Sequence, residues 1–83
     1  MEQHWQKPLK NVITPKRGPL PQMFRLIDAN RALIGELPHG YLKRTHWMRA
    51  GRALMAAADS GGESDIAWAY EMIVGALIKE DWL

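Results

Sequence analysis

The side chains that could do chemistry are few. His4, His39 and His46 are the only histidines, there is no cysteine, and the hydroxyls considered are Thr14, Thr45, Ser60 and Ser64. A zinc site needs three or four nitrogen, sulfur or oxygen ligands at workable spacing. His39 and His46 stand seven apart with no acid or cysteine between them, so they read as surface or turn histidines. No hydroxyl has a recognisable base beside it in sequence to activate it as a nucleophile. Gly61-Gly62 matches neither spacing of a phosphate-cradling loop and reads as a helix cap and turn. Glu71 is the only charge between Ile66 and Ile78. An exposed position on the helix accounts for it most simply. No catalytic, cofactor-binding or metal-ligating residue is therefore expected, and the chain is not expected to be an enzyme.

What remains is recognition chemistry. Arg49 and Arg52 lie three apart, with Thr45 and His46 a turn earlier and Lys43 and Arg44 at the start of the same helical pattern. Helix beginnings favour acids, because the macrodipole and the free backbone donors are positive there. Basic residues at that end suggest an anion-binding terminus. Trp68, Met72 and Trp82 form the apolar counterpart, since aromatic anchors concentrate interface energy.

These residues must be held by elements, and the apolar spacing defines them. The segment IAWAYEMIVGALI, residues 66–78, carries Ile66, Tyr70, Ile73, Val74 and Leu77 on one helical stripe and Trp68, Met72 and Gly75 on the other side. At thirteen residues it is too short to span a bilayer, which takes about 20. A helix over 21–37 is predicted from Pro21 at its first position and Leu37-Pro38 at its end, with Met23, Leu26, Ile27, Asn30, Ile34 and Leu37 inward. A second helix over 42–58 gathers Trp47, Ala50, Gly51, Leu54, Ala57 and Ala58 on one face. The third runs over 63–80, and the short Ser60-Gly61-Gly62 link predicts an antiparallel hairpin with the second.

Residues 1–20 read as an extended arm. Pro8, Pro15 and Pro19 fix φ and remove donors, so no helix runs through. Asn11 to Thr14 could pair as a strand only if an edge were offered. The arm carries Lys7, Lys10, Lys16 and Arg17, with Trp5 as a possible anchor. The expected architecture is all-α: a three-helix domain over 21–83 preceded by a basic, proline-rich arm. Its core is expected to draw on Leu26, Ile27, Ile34, Leu54, Ile66, Ile73, Val74 and Leu77.

The net charge of +2 hides a division. Residues 1–58 hold ten Lys or Arg against three acids, +7; residues 59–83 hold one Lys against six acids, −5. Such asymmetry suits nucleic acid, an acidic protein, or a second copy of the chain. A chain of 83 residues buries only about 60% of its unfolded surface, so a partner or a second copy would add needed stability. The start MEQHWQKPLK lacks an apolar signal-peptide core, and a cytoplasmic location with no membrane contact is expected.

A small, cysteine-free, tryptophan-rich chain with a basic arm and a helical body resembles regulators carried by bacteriophages and phage satellites. It most resembles the satellite proteins that redirect phage packaging by binding the small terminase subunit. That resemblance implies a packaging protein as partner, met by the apolar surface or the basic helix. The function expected is a protein–protein interaction module that modulates its partner, with contacts at Trp68, Met72, Trp82, Arg49 and Arg52; a homodimer through the same patch is the competing occupant. The alternative is a DNA-binding regulator using Lys7, Lys10, Lys16, Arg17, Lys43, Arg44, Arg49 and Arg52.

Overall fold

Three helices do form, but the chain ahead of them is not a free arm. The structure, a computed structural model, describes residues 3–83; Met1 and Glu2 of the expected arm lie outside the described residues. Strand β1, Pro8–Ile13, pairs antiparallel with strand β2, Met23–Arg25. Pro8 faces Arg25 and Ile13 faces Met23, so five steps along β1 meet two along β2 and the pairing is irregular between them. Leu9 and Ile13, four apart, both turn inward as alternation allows, while Asn11, which regular alternation would place with them, stays exposed in the irregular stretch. An isolated two-stranded sheet is marginal in water. This one is held by burying Leu9, Ile13, Leu20 and Met23 in the same core as the helices.

The all-α expectation is thereby corrected: the fold is mixed, mostly helical, with a small antiparallel sheet. Two ambiguous signals explain the difference. Met23 fits a helical stripe as well as a strand, and Pro21, which suits a first helical position, instead precedes β2. The strand that Asn11 to Thr14 lacked was hidden inside the expected first helix.

Helix α1 is Leu26–Gly35. The Asp28 carboxylate starts it, accepting the backbone N–H groups of Phe24 at 3.1 Å and Arg25 at 3.0 Å, donors that a helix beginning otherwise leaves unpaired. Its buried face is Leu26, Ala29, Ala32 and Leu33. Ile34, expected in the core, is 70% exposed. Small side chains at 29 and 32 let α1 close on its neighbours along that line, and Ile34 is left on the outside. Ile27, Ile66 and Val74 are half-buried, while Leu26, Leu54, Ile73 and Leu77 are buried as expected.

A 3-10 turn, Tyr41–Lys43, leads into α2, Thr45–Ser60, and Gly61 joins it to α3, Glu63–Lys79. Gly61 has φ +64°, the left-handed conformation that glycine adopts without steric cost. A side chain there would also strike the His4 ring, 2.6 Å from an added Cβ. Helices α2 and α3 run antiparallel, since Trp47 near the start of one bonds Glu80 just past the end of the other. Strand β1 packs against α3, which also packs along α2. Among the described residues no helix is long and apolar enough to cross a membrane.

Candidate functional site

Two clusters gather the residues that the sequence singled out. The first joins the C-terminal turn and the loop between β1 and β2 to the start of α2. Asp81 takes a left-handed backbone, φ +62°, and turns Trp82 back onto the body. The Trp82 carbonyl accepts the backbone N–H groups of Lys16 at 2.8 Å and Arg17 at 3.1 Å. Its ring stacks on Tyr41, with centroids 5.6 Å apart and planes 8° from parallel, and lies 6.0 Å from Trp47. Gly18 passes so close that an added Cβ would sit 2.5 Å from the indole. The Arg44 guanidinium sits over the Tyr41 ring, 3.8 Å from its centroid.

Beneath the stack is Glu80, its side chain 9% exposed. Its carboxylate accepts from Arg44 Nη1 at 2.7 and 2.8 Å, from His46 Nε2 at 2.9 Å and from Trp47 Nε1 at 2.9 Å. Burial pushes this carboxyl up, but the hydrogen bonds from His46, Trp47 and Arg44 and the Arg44 charge outweigh it and hold the group below the usual carboxylate range. The Arg44 guanidinium is raised in turn, chiefly by its hydrogen bonds to Glu80. The basic start of α2 thus receives its anion from the chain itself. Arg17 is likewise committed, 2.9 Å from Asp81, and Lys7 Nζ donates to the Gly61 carbonyl at 2.9 Å.

The second cluster is open. Arg49 and Arg52 of α2, with Trp68 and Met72 of α3, line one cleft of about 370 Å³. Arg49 and Met72 extend into a smaller depression of about 140 Å³ toward Thr45, Gly75 and Lys79. No carboxylate lines either. Neither Arg49 nor Arg52 enters an ion pair or a side-chain hydrogen bond among the described residues. Trp68 is 45% exposed and Met72 is half-buried. The i, i+4 spacing of 68 and 72 and the i, i+3 spacing of 49 and 52 put each pair on one helix face, and the hairpin brings the faces together.

Four of the five expected contact residues therefore meet in one place, and Trp82 does not join them. Lys43, Lys10 and Lys16 are exposed and share no cleft with Arg49 and Arg52. Sequence reasoning passed over two features. One is the Glu80 hub, whose signal was an acid placed to meet Arg44 and His46 once the hairpin folds. The other is a groove of about 460 Å³ between α1 and α2, bordered by Ile34, Leu42, Met48, Gly51, Arg52 and Met55.

No family model matches the sequence, and comparisons with curated proteins and with solved structures likewise returned no match.

Proposed function

We propose that this protein is a non-enzymatic binding module that holds a partner protein against the outer face of α2 and modulates it, with Arg49, Arg52, Trp68 and Met72 at the centre of contact. The observation that supports the reading most is the cleft itself: two arginines that pair with no acid among the described residues, beside a half-exposed tryptophan and a methionine. Arg44 and Arg17 pair with acids of the fold, and among the described residues Arg49 and Arg52 pair with none. Tryptophan and arginine dominate interface hot spots, and methionine is enriched there too. The resemblance to phage and satellite regulators implies a component of phage DNA packaging as the partner.

Affinity capture from the source cells followed by mass spectrometry tests this reading, run with the native chain and with Trp68→Ala and Arg49→Ala. The expected result is a partner retained by the native chain and lost by both variants at unchanged helix content. A native chain that binds generic duplex DNA at low salt, weakening steeply as salt rises and failing when Arg49 and Arg52 become Ala, would replace it with the DNA-binding reading.

A further inference from the structure

Ile34 and Met55 stand exposed on opposite sides of a groove whose floor includes Gly51 and Trp47. Together with Leu42, Met48 and the neighbouring Trp68, they account for five of the nine exposed large hydrophobic side chains, which concentrates exposure on one side of the molecule. Scattered surface hydrophobics need no explanation; a grooved cluster does.

Gly51 adds a second observation. It sits in the middle of α2, where glycine weakens a helix relative to alanine. Nothing in the fold requires it. An added Cβ would meet no atom within 4 Å, and its φ is not in the left-handed region. Absence of a side chain at 51 does keep the groove floor low, so that another backbone could approach α2 closely.

The chemistry of the walls limits the occupant. Both walls are helices whose backbone donors and acceptors are paired within the helix, so an extended peptide laid there would find no strand edge to bond. A helix satisfies its own backbone and offers the groove an apolar stripe. Arg52 borders both the groove and the neighbouring cleft, and no carboxylate lines either. A basic helix would bring like charge onto Arg52; an acidic one would supply the missing counter-ion.

We propose that the α1–α2 groove seats an amphipathic helix of the partner protein, laid over Gly51 with its apolar stripe on Ile34, Met48 and Met55 and its carboxylates toward Arg52. This rests on the reading above, that the outer face of α2 meets a partner.

The test uses the full chain, isotope-labelled for amide spectra, and two synthetic helices of about 18 residues, five turns. The helices share one leucine stripe and differ only in flanks of Glu or of Lys. The Glu-flanked helix should shift the amides around Ile34, Gly51 and Met55. It should bind about tenfold more tightly than the Lys-flanked one, a preference that Arg52→Gln narrows. Gly51→Leu fills the groove and should weaken binding about tenfold while leaving the remaining spectrum intact. Ile34→Glu, at a site already in water, serves if Gly51→Leu does not fold. Equal binding of the two helices, shifts that map elsewhere, or a native dimer that Gly51→Leu dissociates would each overturn the proposal, the last by making a second copy the occupant. In the capture experiment, a partner lost with Trp68→Ala but kept by Gly51→Leu would sink the groove and leave the binding module standing.

Discussion

The start of α2 and its outer face carry similar residues and meet opposite fates. At the start, Arg44, His46 and Trp47 converge on one carboxylate, the stacked rings of Tyr41 and Trp82 lie beside them, and the C-terminal turn is tied to the loop between β1 and β2. Two turns later, Arg49 and Arg52 sit beside Trp68 and Met72 in a cleft that no acid lines among the described residues. A basic, aromatic-rich sequence is thus not enough to mark a binding surface. The distinction is whether the fold has already supplied the partner. Among the described residues no buried side-chain nitrogen or oxygen lacks one, so unmet chemistry is confined to the surface, and the outer face of α2 is where much of it collects.

Substitutions can break that comparison. The largest effect belongs to Trp47→Ala. The ring is fully buried, and its removal should cost about 3–5 kcal/mol, a large share of the total for so small a domain. Circular dichroism should show helix loss at room temperature. Glu80→Ala comes next, at about 2–4 kcal/mol by urea unfolding, because three donors lose their acceptor at once.

The pH dependence of this pair is fixed by sign. The Glu80 carboxyl is depressed in the folded state, so the unfolded chain takes up a proton at higher pH than the folded one. Its contribution is complete above the ordinary carboxylate range and is lost as pH falls through the folded pKa. Glu80→Gln should flatten that part of the acid-unfolding profile. A profile unchanged by the substitution would mean that Glu80 is not the hub.

The outer face should behave otherwise. Gly51→Ala is expected to stabilise the protein by about 0.5–1 kcal/mol, since the Cβ meets nothing and the helix gains propensity. A measured loss of stability would show that the fold itself uses Gly51 and would undercut the groove as a vacant seat.

Much of the helical part was legible. The third helix was expected over 63–80 and runs Glu63–Lys79, and the second was expected over 42–58 and runs Thr45–Ser60. Long periodic stripes and a glycine hinge carry that information locally. The sheet was not legible, because β2 has three residues and its pairing with β1 leaps over a proline-rich loop; neither alternation nor a hairpin turn announces it. The functional residues were legible in part. Trp68 and Met72 are expected as interface anchors on the side of α3 away from its core stripe, and β1 covers another part of that helix. What supports those two residues now is their cleft with Arg49 and Arg52. Trp82 looked equally available at an apolar terminus, and only the αL turn at Asp81 sends it inward.

The central claim is that the outer face of α2 serves a partner and not the core. Partner capture by Trp68→Ala, quantified against the native chain in samples whose unfolding free energies are measured alongside, tests it most directly. The account predicts a stability loss of about 1–2 kcal/mol, well short of that of Trp47→Ala, together with loss of the partner. A variant that unfolds as Trp47→Ala does, or one that stays folded and captures the partner undiminished, would contradict it.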